Sequence, residues 1–226
     1  MKTKLIYFFM LLYSLILISQ NSGLENGIGT LNKLQFGKPI KLVFSNKDNI
    51  IGSEYLNNEY QEATVITINN EIISLNAKLN TYSQEFEVLI NDQVMALNYS
   101  SVKKIQYMGM IFKPIFIESN VLIYGEELCK GKICLIKNYK ARLLKGKIVP
   151  GIQTIEPKDE IIIEEIYYAN KKGEPSGEFI KLKFKKKNIL EIINNDKKTL
   201  DHIKNKKLSY KNEEDIVKIL NFYNGN

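Results

Sequence analysis

Short runs of β-branched and aromatic residues, many of them alternating with polar ones, recur along this 226-residue chain and are parted by Asn, Asp and Gly. A period of two buries one face of a strand and leaves the other wet, so this pattern commits the chain to antiparallel sheet. Ala63 to Ile68 and Glu71 to Leu75 flank Asn69–Asn70, a pair that tolerates the positive φ angles of a tight hairpin. Glu85 to Ile90 and Val94 to Leu97 flank Asn91–Asp92 in the same way. Within the first of these, Phe86, Val88 and Ile90 are expected on the buried face, and Glu85, Glu87 and Leu89 on the other. Further strands are expected at Ile40 to Phe44, Val102 to Tyr107, Ile111 to Ile117, Val121 to Leu128, Lys132 to Lys137, Glu160 to Tyr168 and Glu178 to Phe184. Between Ala141 and Pro157 the pattern breaks, which reads as a crossing loop or linker.

The period changes near the C-terminus. Asn188 is positioned to cap a short helix carrying Ile189, Leu190, Ile192 and Ile193, and Asp196 to cap a second on which Leu200 and Ile203 share a face. In a third, Asn212 caps, Glu213, Glu214 and Asp215 suit the positive end of the helix dipole, and Ile216, Ile219, Leu220 and Tyr223 form one stripe. The expected architecture is therefore α+β. A curved, mainly antiparallel sheet, either open or barrel-like, is followed by two or three C-terminal helices.

At the other end, Lys2 and Lys4 precede an unbroken run of 14 residues from Leu5 to Ile18 whose only polar groups are hydroxyls. That length suits the core of a secretory signal and falls short of a membrane span. The expected organisation is a signal peptide over residues 1–19, a β-rich body over 20–185, and a helical segment over 186–226 packed on the body. Export to the periplasm or cell envelope, or secretion, follows as the expectation. Losing residues 1–19 takes two lysines from a formal net charge of +7, leaving +5.

Composition narrows the chemistry. Arg142 is the only arginine and His202 the only histidine, there is no tryptophan, and there are two cysteines. These numbers remove most residue sets from which zinc sites and His-dependent catalysis are assembled, so no cofactor, metal or catalytic residue is expected. His202 lies about 200° round its helix from Leu200 and reads as a solvated side chain. The acidic pairs Glu59–Glu62, Glu126–Glu127 and Glu164–Glu165 would have to converge in a cleft to serve a carboxylate-dependent hydrolase. Adjacent strand residues point to opposite faces, which counts against Glu164 with Glu165.

Two features remain as candidate sites. Cys129 and Cys134 enclose Lys130–Gly131–Lys132–Ile133. If Gly131–Lys132 form the turn, the cysteines face each other in a non-hydrogen-bonded pair about 4.5 Å apart at Cα, close enough for a disulfide. If Lys130–Gly131 form it, they are staggered and a bond between them is harder to make. The second feature is basic: Lys181 to Lys207 carries ten lysines against Glu191, Asp196 and Asp201, with Lys185, Lys186 and Lys187 consecutive. Such a cluster supplies a sequence-independent attraction to anionic surfaces. Sequence-specific nucleic-acid reading is not expected of a chain this poor in arginine.

The segment Gly52–Ser53–Glu54–Tyr55–Leu56–Asn57–Asn58–Glu59–Tyr60, with the Asn69–Asn70 hairpin, resembles the start of a large group of uncharacterised exported proteins of Bacteroidota. The segment Tyr210 to Val217 with Asn221–Phe222–Tyr223–Asn224 resembles the last helix of that group. The likeness covers about residues 48–224 and departs from the group where Lys78–Leu79–Asn80 stands in place of an Arg-Tyr-Asn strand. It implies export and a β-rich body with C-terminal helices, and assigns no catalytic residue. Together these readings point to an exported, non-enzymatic envelope accessory or binding protein. The alternatives are a binder of a small apolar ligand in a barrel-like cavity and a carboxylate-dependent hydrolase.

Overall fold

A computed structural model of the chain describes residues 34, 36–39, 50–90, 93–117, 121–146, 158–171 and 179–225. The expected signal peptide and the strand expected at Ile40 to Phe44 lie outside them. The described residues hold twelve strands in one sheet. They are β1 (Phe36–Pro39), β2 (Ile50–Ile51), β3 (Gln61–Thr67), β4 (Ile72–Asn80), β5 (Glu85–Ile90), β6 (Gln93–Leu97), β7 (Val102–Tyr107), β8 (Met110–Ile117), β9 (Val121–Cys129), β10 (Ile133–Leu144), β11 (Asp159–Lys171) and β12 (Ile180–Lys181). Their order is β1-β6-β5-β4-β3-β7-β8-β9-β10-β11-β12, every neighbouring pair antiparallel, while β2 runs parallel to the start of β11. Among the described residues this path does not close into a barrel.

Turn chemistry explains the hairpins. Asn70 takes φ 62° between β3 and β4, and the Glu71 carbonyl accepts from the Thr67 amide at 2.9 Å. Between β7 and β8, Met108 and Gly109 both have positive φ, the two-residue turn whose twist matches the flanking strands.

Aromatic packing shows how far the sheet bends. Phe86 on β5 and Tyr124 on β9 are five strands apart, about 24 Å in a flat sheet. Their ring centroids lie 5.0 Å apart, and Phe86 also meets Tyr107 and Phe112 edge-on at 5.3 and 5.4 Å. The turn between β4 and β5 completes the roll by reaching β10: the Ala141 amide donates to the Thr81 carbonyl at 3.0 Å, and Gln84 donates to the Tyr139 carbonyl at 2.7 Å.

The same strands then bend the other way. Phe112 and Tyr124 face the first core, whereas Ile115 and Ile123 face a second one with Ile136 and Tyr168. Phe179 bridges to Ile117 on β8, and its amide donates to the Phe116 carbonyl at 3.2 Å. Gly125 permits this second packing, since a Cβ there would sit 2.1 Å from Cγ2 of Ile136. The sheet is S-shaped in section, with a core in each bend.

Three helices follow: α1 (Lys186–Ile192), α2 (Lys197–Lys206) and α3 (Glu213–Gly225). Among the described residues no helix is long and apolar enough to cross a membrane. Ile189, Ile192, Ile193, Ile203, Ile216, Ile219 and Leu220 pack with Cys129, Ile133, Leu135, Ala169 and Leu182 into a third cluster on β9, β10 and β11. Asp196 caps α2 as expected, accepting from the amide and hydroxyl of Thr199 at 2.9 and 2.7 Å, and these bonds hold its carboxyl below the usual range. Asn212 accepts from the Asp215 amide at 2.9 Å at the start of α3. Asn188 is not a cap. Helix α1 begins earlier, after Lys185, and the Asn188 amide donates back to the Lys183 carbonyl.

Other boundaries moved for tertiary reasons. β10 does not stop at Lys137 but runs to Leu144, because β11 pairs with it from Ile133 to Leu144. The last hairpin strand shrinks to two residues as Leu182 turns into the helical cluster and Phe184 packs on Tyr167 at 4.2 Å.

Candidate functional site

Along β10, Ile133 and Leu135 face the helical cluster and Tyr139 faces the first core. Lys137 lies between them on the same face, 8% exposed. A lysine so placed must be paired or neutralised. β9 supplies Glu126 at 3.4 Å, β11 supplies Glu165 at 4.0 Å, and the first turn of α3 supplies Glu213 at 2.9 Å. Two hydroxyls complete the group: Tyr139 donates to Glu126 at 2.6 Å, and Tyr167 sits between Glu213 at 2.8 Å and Glu165 at 3.0 Å. Strand register brings them together, since Lys137 pairs with Glu126 on one side and Tyr167 on the other, and Tyr139 pairs with Glu165.

The electrostatics decide what this arrangement can do. Burial alone would lower the pKa of Lys137, but the bonds to Glu213 and Tyr139 and the charge of Glu126 outweigh it and hold the ammonium above its ordinary value. Burial and the bond to Glu126 raise Tyr139, and burial with bonds to Glu213 and Glu165 raises Tyr167. All three groups keep their protons at neutral pH, so none is poised as a base or nucleophile. Three carboxylates converge here on a lysine, which occupies the place a cation would take. Among the described residues no group of His, Cys, Asp or Glu is arranged to hold a metal ion. The cluster is a clamp that joins β9, β10, β11 and α3.

A second polar centre lies under residues 53–60. Glu87, expected on the wet face of β5, is only 2% exposed. The segment bearing Tyr55 continues the sheet beside the end of β4, bridging Tyr55 to Asn80, and covers it. The Tyr55 hydroxyl donates to Glu87 at 3.0 Å and the Asn80 amide donates at 2.8 Å. Leu56 packs against the first core, and Lys78 lies 4.0 Å over the Tyr55 ring and 4.7 Å over that of Tyr60. Burial first, then the charge of Glu87, raises the Tyr55 pKa. Replacing Tyr55 with phenylalanine should therefore cost about 2 kcal/mol, the range for a hydrogen bond to a charged group. Urea unfolding would read this, and an unchanged midpoint would mean that the hydroxyl is not engaged.

The residues singled out from sequence fall elsewhere. Lys185, Lys186 and Lys187 are all exposed at the start of α1. Cys129 and Cys134 are free thiols. The disulfide expected from a Gly131–Lys132 turn does not form in the observed register, because Cys129 pairs with Leu135 and points into the helical cluster. Cys134 lies on the opposite face, where Glu127 and Lys113 influence it. Burial pushes the Cys129 thiol up to about 11. His202, expected in solvent, instead stacks on Phe222 with ring centroids 3.9 Å apart.

Of the pairs Glu126–Glu127 and Glu164–Glu165, only Glu126 and Glu165 reach the Lys137 cluster, and neither pair acts together. Glu127 pairs with Lys113 on the face opposite Glu126, and Glu164 pairs with Arg142 at 2.7 Å, away from Glu165. What sequence reasoning missed is the Lys137 cluster. Its signal was present: a lysine in phase with Ile133, Leu135 and Tyr139 stands on a buried stripe and implies partners. No protein-family model, curated protein or solved structure matches the chain.

Proposed function

We propose that this is an exported, non-enzymatic accessory or binding protein of the cell envelope, and that its lysine-rich helical end docks on an anionic surface. The observation that carries the reading is the disposition of the basic side chains. Lys185, Lys187, Lys204, Lys206 and Lys207 are exposed and make no ion pair with another described residue, while the lysine in the protein interior is fully matched by acids. The N-terminal apolar run and the resemblance of residues 48–224 to exported proteins of Bacteroidota support the compartment. The apolar-ligand reading has less support, because Phe86, Tyr107, Phe112 and Tyr124 fill the space between β5 and β8–β9. The hydrolase reading has less still, since Lys113, Lys137 and Arg142 take up acids of the expected pairs.

Vesicles containing phosphatidylglycerol test the proposal. The protein should bind them at low salt and leave as salt rises. With each lysine near such a surface worth about 1 kcal/mol, losing three weakens binding roughly a hundredfold, and the charge-reversing triple substitution Lys185→Glu, Lys186→Glu and Lys187→Glu should weaken it by at least that much. Unchanged binding, or equal binding to neutral phosphatidylcholine vesicles, would overturn the proposal.

A further inference from the structure

The register of the β9–β10 hairpin changes partway along. Lys137 pairs with Glu126 and Ile136 with Glu127, but the next pair is Leu135 with Cys129, so Leu128 is an extra residue on β9. Continuing the lower register without that bulge would set Leu135 opposite Leu128, Cys134 opposite Cys129 and Ile133 opposite Lys130. Gly131–Lys132 would then be left as a two-residue turn. Cys129 and Cys134 would form a non-hydrogen-bonded pair with Cα atoms about 4.5 Å apart, within disulfide reach. One residue of slip separates the free thiols from a bonded pair.

Both ends of that slip are prepared. Leu128 already packs against the helical cluster, so it can replace Cys129 there, apolar for apolar. Position 131 is a glycine, the residue that suits the first central position of a two-residue hairpin turn, and only its φ has to move, from +149° to about +60°. What holds the bulged form is Asn224 at the end of α3. Its side-chain oxygen accepts from the Ile133 amide at 2.8 Å, and its amide donates to the carbonyls of Ile133 at 2.9 Å and Lys130 at 3.2 Å. Its side chain also fits where a Cβ on Gly131 would stand. In the slipped register Lys130 and Ile133 bond each other across the turn, and Asn224 loses these partners.

We propose that this hairpin is a redox-sensitive register switch: oxidation joins Cys129 to Cys134, moves the bulge out of β9 and releases the Asn224 clasp on α3. The oxidant is a disulfide compound. The thiolate of Cys134, the more exposed of the two, attacks one sulfur of the oxidant and expels the other as a thiolate. After the slip, the Cys129 thiol loses its proton and its thiolate attacks the Cys134 sulfur, expelling the remaining half of the oxidant. Two S–H bonds of the protein become one S–S bond, and the oxidant's disulfide is reduced to two thiols.

The test incubates the full chain with oxidised glutathione and reads intact mass without reduction, together with amide hydrogen exchange. The expected product is a monomer lacking two hydrogens, in which the amides of the last turn of α3 exchange at least about tenfold faster than in the reduced protein, because that turn has lost the Asn224 clasp. Asn224→Ala should reach that product several-fold faster than wild type, because the clasp opposing the slip is gone. The proposal is overturned if both thiols stay open to alkylation or if the disulfide links two chains. A disulfide that leaves exchange in the last turn of α3 unchanged, or an Asn224→Ala rate equal to wild type, would also overturn it. The wild-type measurements decide the matter even if the variant fails to fold.

Discussion

Replacing Phe86 with alanine should cost about 4 kcal/mol of unfolding free energy, the middle of the range for removing a buried phenylalanine ring. The ring is wholly buried and meets three others edge-on, from β7, β8 and β9. It is the point at which strands distant in the sheet order touch. Its neighbours are anchored on separate strands, so they cannot all close on the space left behind, and a cavity term adds to the lost transfer energy. Phe86→Leu retains much of the volume and should cost less than half as much. A denaturant titration of both variants checks the pair. Equal, small losses would mean that the roll does not depend on this contact.

Lys137→Ala should cost about 3 kcal/mol. That is the low end for breaking a buried ion pair, because Glu165 is 51% and Glu213 33% exposed at the side chain and water relieves part of the loss. The damage comes less from the missing bonds than from Glu126 and Glu213 left facing a buried stripe without their cation. Adding Glu126→Gln to Lys137→Ala should therefore recover stability, whereas Glu126→Gln alone should lower it. Such a sign reversal is what a double-mutant cycle detects. The pH dependence follows from the raised lysine pKa. A group whose pKa is higher in the folded protein contributes fully below its unfolded value, near 10.4, and the contribution fades as pH climbs through the folded value. The gap between wild type and Lys137→Ala should stay constant from neutrality to about pH 10 and narrow only in stronger base. A gap that closed near neutrality would contradict the clamp.

Much of the sheet could be read without coordinates, for a local reason. Glu85 to Ile90 and Val102 to Tyr107 begin and end where alternation says they should, and Asn69–Asn70 lies in the turn between β3 and β4, whereas Asn91–Asp92 lies outside the described residues. Asp196 and Asn212 cap helices because capping is a matter of a few adjacent residues. The misses are non-local. Nothing near Glu87 says that a tyrosine from residues 53–60 will cover it. Nothing near Lys140 and Arg142 says that β11 will keep pairing past them. The cysteines show the limit most plainly: the geometry considered was sound for an unbulged hairpin, but a side chain some ninety positions away, Asn224, favours the other register. The two β-strands absent from the sequence reading, β1 and β2, are four and two residues long, too short to show a period.

The clasp and the clamp also order events in time. Asn224 and Glu213 lie on the last helix, yet they complete a hairpin and an ion cluster that belong to the middle of the chain. A polypeptide emerging N-terminus first can begin to roll its early strands around Phe86, but Lys137 stays without Glu213 and the tip of the hairpin stays unclasped until α3 has emerged. Completion of these two features is thereby deferred until residues 213–224 are present. A chain held back in this way remains loosely structured around Lys137 while the residues before α3 are being made.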